Sequence, residues 1–500
     1  MTATGRLLAS VTALICVAMT AVAENPKVLR MLSGTLPEAW GNPYSQSSVT
    51  PLSFWSALFD PLVLLRTDGE LQPWLATSWR QSGENTWEIT LRDGVVFSNG
   101  ESFMAASVKV GIDYLRSPEG AIQPVARDLS NIAAARVIDD RTIELITSGP
   151  DPLLPRKLSL FRVVAPKQWL ALGPMAFAQD PSGTGPYRVV RNDATGARLA
   201  AVPTSWRKAP TAEIELIKSS DPVARRAALL SGRADFGVGG SVAKDDIPEM
   251  EAAGFKILDD HVPAVVTMVF NTVRETPFRD RRVREAVTLA VDRKTIVDVF
   301  LGQHSVVASQ PARRTAFGYN KAVAPLPYDP ARAKALLAEA GFPNGFAFDM
   351  EMPGGTVIYV NVFQRIADDL ARIGVRMTVK SVPPQLFLAN IQTGEWRSEA
   401  MAIPFYSPVN DALYPMRQHS CLWPAAWYCD TETTRQIEEA QAEPDLETRR
   451  TKTEALMARV ANEHQALFLY ETIQFGAHTA KIKRIASDLG FIHYEDMVWE

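Results

Sequence analysis

An α/β fold with more than one lobe is what this sequence predicts, on three observations. Strand-like and helix-like segments alternate from about residue 212 to 400, the pattern of sheets covered by helices. The chain has 500 residues, too many for a single hydrophobic core, so two or three lobes are expected. Its composition, 46% hydrophobic and 22% charged, is that of an ordinary globular protein. The formal net charge of −4 gives no reason to expect nucleic acid or an anionic membrane as partner.

The elements follow in order. Residues 1–20 hold one basic residue, Arg6, and no acid, and residues 7–19 are apolar. Ala21-Val22-Ala23 then forms a small-x-small cleavage site, so residues 1–23 read as a signal peptide, with Glu24 as the mature N-terminus. Bulky Ile15 before Cys16 argues against a lipoprotein anchor. Residues 28–32, 62–65, 86–91 and 95–97 read as strands, with turns at Asp93-Gly94 and Asn99-Gly100. Residues 103–115 read as a helix, and 136–138 and 142–146 as a hairpin around Asp139-Asp140. Gly183-Thr184-Gly185-Pro186-Tyr187 turns into a strand at 188–191; a phosphate loop would open a helix instead.

Three later helices carry Asp N-caps at Asp221, Asp280 and Asp329, two of them followed by Pro at the first helical position. Gly232 and Gly341 stop the first and third. Further helices are expected at 363–373, 431–441 and 451–462, and a strand at 375–379.

With the leader removed, two cysteines remain, Cys421 and Cys429. In an oxidising compartment they are expected to form a disulfide that staples a local loop. Four zinc ligands at metal spacing are missing, and so are a Gly-x-Ser-x-Gly elbow, a His-Glu-x-x-His pair and a Walker loop. The expectation is therefore a protein that is not an enzyme, with no cofactor and no metal. Among the scattered histidines, His419 is the one placed to ligate a metal chelate, though a surface position is the simpler reading.

Several of these segments, in this order, resemble a known family. Leu58-Phe59-Asp60-Pro61-Leu62-Val63 precedes Leu71-Gln72-Pro73-Trp74-Leu75-Ala76-Thr77-Ser78-Trp79, then Ile89-Thr90-Leu91-Arg92-Asp93-Gly94-Val95-Val96-Phe97. Gly183 to Tyr187, Leu229 to Asp235, and Phe270-Asn271-Thr272 come next. The most specific block is Pro277-Phe278-Arg279-Asp280-Arg281-Arg282-Val283-Arg284-Glu285-Ala286, running on to Asp292-Arg293. Tyr328-Asp329-Pro330 and Ala340-Gly341-Phe342-Pro343 follow. Together they are similar to the extracellular solute-binding proteins of family 5, which bind dipeptides, oligopeptides, nickel chelates and opines. Most of these residues read as scaffold: Trp74, Trp79 and Phe97 as core, Arg282 and Arg284 as salt-bridged.

The resemblance implies a two-lobed periplasmic-binding-protein fold of type II with an extra subdomain. Lobe I would take 24–45, 168–260 and 469–500; the extra subdomain 46–167; lobe II 261–468. Two crossing strands, near 261–271 and 467–474, would form the hinge. The implied role is a monomeric, periplasmic binding protein that hands its ligand to the transmembrane permease subunits of an ABC importer. A periplasmic peptide-binding chaperone or ligand sensor is the alternative.

Peptide binders of the family hold an ammonium with an aspartate after a tryptophan, and dipeptide binders add an arginine. Here the first place falls near Ser407, with Asp411 about four residues late. The second reads Gly354-Gly355-Thr356, whose glycines let the backbone approach a ligand. A free dipeptide is therefore disfavoured, while longer peptides, opines or other sugar–amino-acid conjugates, and glycosides stay open. Expected ligand contacts are Ser33, Gly34, Thr35 and Trp40 on lobe I. On lobe II they are Gly354, Gly355, Thr356, Tyr359, Phe405, Tyr406, Ser407, Asn410, Asp411 and Trp423. Trp423, Trp427 and Tyr428 either wall the ligand or pack within the cysteine-closed loop.

Overall fold

A computed structural model describes residues 27–499 apart from 38–40, 47–48, 303 and 356. The expected signal peptide, Trp40 and Thr356 lie outside the described residues. Two α/β units share one large sheet. On one side Val28–Ser33 runs parallel to both Glu213–Lys218 and Phe236–Val242, with the helix Pro222–Leu230 as the crossover between the latter two. On the other side Ala347–Pro353 runs parallel to Arg376–Val382, joined through the helix Val357–Ala371.

Two long antiparallel strands fuse the units, Lys256–Phe270 and Ala466–His478, paired from Lys256↔His478 to Val269↔Ala466. These are the segments expected to cross as the hinge. Their register breaks between His261 and Val265. Pro263 sits in that break, where it has no N–H to give the ladder, and its carbonyl accepts from the Ser407 amide.

The caps formed as the sequence predicts. Asp221, Asp280 and Asp329 each accept an amide of their helix's first turn, from Val223, Arg282 and Arg332. Gly232 and Gly341 take the left-handed conformation, at φ 69° and 93°. The hairpin is there too, Ile132–Asp139 against Thr142–Thr147. Three expectations are corrected. Residues 95–97 form no strand, only an isolated bridge from Val96 to Ser102. The helix read at 363–373 starts at Val357, and the one read at 451–462 starts at Leu446.

The segment 46–167 has its own four-stranded sheet, but its core is not its own. Trp55, Phe59, Phe97 and Phe161 pack in one cluster with Leu29, Phe236 and Tyr494 of the first lobe. The junction is pinned by Asp60, which is fully buried. It pairs with Arg207 at 2.8 Å and accepts from Trp74 Nε1, Trp206 Nε1 and Thr184 Oγ1. The second lobe holds a separate cluster around Phe405, Trp427, Leu456 and Phe468. Cys421 and Cys429 are joined as a disulfide. Among the described residues no helix is long and apolar enough to cross a membrane.

Candidate functional site

The first lobe and the segment 46–167 meet the second lobe over a cleft beside Pro263. Its walls are Leu64, Leu65, Ser159 and Arg162 on one side, and Pro263, Tyr406 and Pro408 on the other. Asp488, Leu489 and Phe491 of the C-terminal segment also line it, with Asp488 held by His493 at 3.0 Å. The cavity is about 30 Å³, room for about one water. A peptide-sized solute therefore enters only with the lobes apart.

Contacts across the cleft show a closed arrangement. Tyr414 Oη donates to Asp128. Arg156 donates to the carbonyls of Gly69 at 2.8 Å and Val409 at 3.5 Å. Gly69, at φ 90°, lies so close to the Thr315 carbonyl that a Cβ there would come within 2.3 Å.

Arg162 is the exceptional group in the cleft. Only 2% of it is exposed. Its Nη1 donates to the Leu160 carbonyl at 3.3 Å, and its Nε has no partner among the described residues. The Trp55 ring lies 5.8 Å away. Burial pulls the guanidinium down to about 10; Asp60, Tyr406 and Tyr44 oppose that only in part. The Asp60 carboxylate does not neutralise it directly, because Arg207 and its three other donors hold it. A buried cation without a hydrogen-bonded anion is costly, and an anion delivered by a ligand removes that cost.

Of the expected contacts, Tyr406 is the one that lines this cavity. Ser407 stands beside it, but its hydroxyl accepts from the Asp411 amide at 2.9 Å. Most of the others have partners within the protein. Phe405 is core, stacked on His419 with ring centroids 3.5 Å apart. Asn410 donates to Thr315, and Asp411 is tied to Arg449 at 3.4 Å. Trp423 donates to the Ile391 carbonyl at 3.2 Å, and Trp427 and Tyr428 are buried in the second-lobe core. Gly354 gives its amide to Val382, Gly355 is exposed at φ 87°, and Tyr359 packs against Phe363. On the first lobe Ser33 accepts from the Thr35 amide, and Gly34 rests on the Arg225 guanidinium.

Sequence reasoning missed Arg162, Pro263 and Leu489. For Arg162 a signal existed: it is the one charged residue in the apolar run from Leu158 to Ala165. His419 is no surface ligand either. It is fully buried, both ring nitrogens lack partners among the described residues, and burial lowers it to about 3. Among the described residues, the group with metal-like spacing is His493, Glu495 and Asp496. There His493 already pairs with Asp488 at 3.0 Å and Glu495 at 3.2 Å, and Glu495 with Arg207 at 3.1 Å.

The comparisons with known proteins bear on the family and the fold. The family model for bacterial extracellular solute-binding proteins, family 5 (middle region), matches residues 70–420. The glutathione-binding protein GsiB of Salmonella typhimurium is 26% identical over 383 residues, 73% of this chain and 72% of that one. Among solved structures, the substrate-binding protein CtaP of Listeria monocytogenes superposes with a TM-score of 0.85 at 17% identity, over 95% of this chain and 100% of that one. The binding protein AgaA of A. tumefaciens R10, solved with agropinic acid, superposes at 0.74 with 22% identity, over 95% and 99%. These relatives and neighbours are solute-binding proteins, not enzymes.

Proposed function

This chain belongs to the bacterial extracellular solute-binding proteins of family 5, and from that premise we propose that it captures a carboxylate-bearing, peptide-like solute between its lobes. The observation that carries the reading is Arg162, a cation buried in the cleft with no anion bonded to it among the described residues. A carboxylate docked there gains a charge-assisted bond in a site shielded from water, worth about 1.5–3 kcal/mol. One relative is named for binding glutathione, and one structural neighbour holds agropinic acid. Glutathione carries carboxylates on a peptide frame, and agropinic acid is an opine. Opines and other sugar–amino-acid conjugates thus fall within the same class.

The chain is proposed to be exported and to deliver its ligand, as a monomer, to the permease of an ABC importer. Lobe closure over the solute would present the surface that the permease reads. A free dipeptide is a poor fit. Its ammonium would find the Ser407 hydroxyl where peptide binders place an aspartate, and Asp411 is held by Arg449. Arg313 and Arg314, the other basic groups of this lobe near the hinge, are bound to Glu471.

Mass spectrometry of the solute released from natively purified protein tests this. A small acid, carrying at least one free carboxylate and larger than a dipeptide, is expected. A neutral sugar, a metal chelate or a simple dipeptide such as Ala-Ala would refute the reading.

A further inference from the structure

A second cavity, of about 300 Å³, lies wholly within the second lobe. It opens between the start of the helix Arg293–Leu301, the loop 320–326 and the helix Leu446–Asn462. Much of its wall is small or apolar: Ala324, Leu326, Ala458, Ala461 and Phe468.

Against that wall stands a buried cation, Arg293. Its guanidinium donates to the carbonyls of Leu326 at 2.6 Å, Phe468 at 3.1 Å and Ala308 at 3.4 Å. Carbonyls satisfy N–H groups but bring no net charge, and no carboxylate pairs with Arg293 among the described residues. Burial accordingly pulls it down to about 10, with no opposing charge. The neighbouring charges do not make up the difference. Glu285 is taken by Arg281 at 3.1 Å and Glu463 by Arg284 at 3.6 Å. His464, on the same wall, is held neutral, first by burial and then by Arg281, Arg284 and Arg293. Arg293 is the charge left over.

We propose that this cavity binds a small organic anion, an aliphatic or aryl monocarboxylate, with its carboxylate on Arg293 and its tail against Ala458, Ala461 and Phe468. The volume corresponds to on the order of ten waters, which suits a molecule of about ten non-hydrogen atoms. Asn462, exposed at the mouth, offers an amide donor at the rim. Every lining residue falls between Thr288 and Phe468, so occupancy does not require the lobes to close. The site is thereby separate from the Arg162 cleft and does not depend on what that cleft binds.

The test uses the intact protein and ¹⁹F NMR of trifluoroacetate and 4-fluorobenzoate, with ionic strength held constant by chloride. Arg293 ties three carbonyls, so replacing it endangers the fold; Ala458→Leu instead fills the cavity from a helix face. Saturable line broadening in the millimolar range is expected for wild type and for Arg162→Met, with binding at least tenfold weaker in folded Ala458→Leu. Absence of saturable binding in wild type would overturn the proposal. So would binding that Ala458→Leu leaves undiminished in the Arg162→Met background, or binding lost altogether in Arg162→Met, which would place the anion in the cleft.

Discussion

The molecule's chemistry turns on which buried charges have partners. Arg207 and Arg162 are both buried arginines of the first half of the chain. Arg207 is neutralised by Asp60, 147 residues earlier in sequence, while Arg162, among the described residues, has the Leu160 carbonyl and the Trp55 ring but no bonded carboxylate. Nothing local in the sequence separates these cases, because the fold supplies the partner. The lone charge in an apolar run marks a buried arginine; only the structure shows it unpaired. The same logic gives a pH dependence at His493. Burial alone would lower this imidazole, but its bonds to Asp488 and Glu495 outweigh that and raise it from 6.5 to about 9. A raised group stabilises fully below its unfolded value and loses that contribution as pH rises through its folded value. The His493 contribution is therefore complete below pH 6.5 and gone above about pH 9. Urea unfolding of wild type and His493→Gln should show the variant weaker at pH 6 and the gap closing by pH 9.5. A gap that stays constant with pH would contradict the assignment.

At the scale of elements, the legible parts were those with punctuation of their own. Asp caps, Gly stops and a two-residue hairpin act through the backbone within a few residues, and each appears where the sequence puts it. The helix expected from 363 begins at Val357, where tertiary packing overrides the strand-like preference of the β-branched and aromatic start Val357-Ile358-Tyr359-Val360. The helix expected from 451 begins at Leu446 because Asp445 caps a polar first turn, accepting from the Thr448 amide. The cysteine pair is a staple at this scale. The bond spans eight residues, and Thr272 donates to the Trp427 carbonyl inside the loop. The chain-entropy model gives about 2.5 kcal/mol for such a loop. Replacing both cysteines by serine should lower the urea midpoint of the second lobe accordingly. A midpoint unchanged from wild type, with reductant lowering neither, would show that the loop is held by Trp427 packing instead.

For the whole molecule, the two-lobed plan was legible because many weak motifs recur in a fixed order, whereas the ligand contacts were not. Those contacts depend on how lobes far apart in sequence meet, and the partners that Asn410, Asp411 and Phe405 take, Thr315, Arg449 and His419, lie up to 95 residues away in a fold that local pattern does not reveal. In the closed arrangement the Arg156–Val409 and Tyr414–Asp128 bonds and the approach of Gly69 to Thr315 hold the cleft shut over a cavity too small for a peptide. The proposed capture would require an opened form, and the register break at Pro263 is where the crossing strands would bend. The most direct test is a calorimetric titration of the solute recovered from the native protein into wild type and into Arg162→Met. Methionine removes the charge and keeps the apolar packing, so the free variant should melt no lower than wild type. Its affinity should fall by about 10- to 100-fold, the loss of one charge-assisted bond to a carboxylate. Equal affinity for the two proteins would show that no carboxylate docks on Arg162.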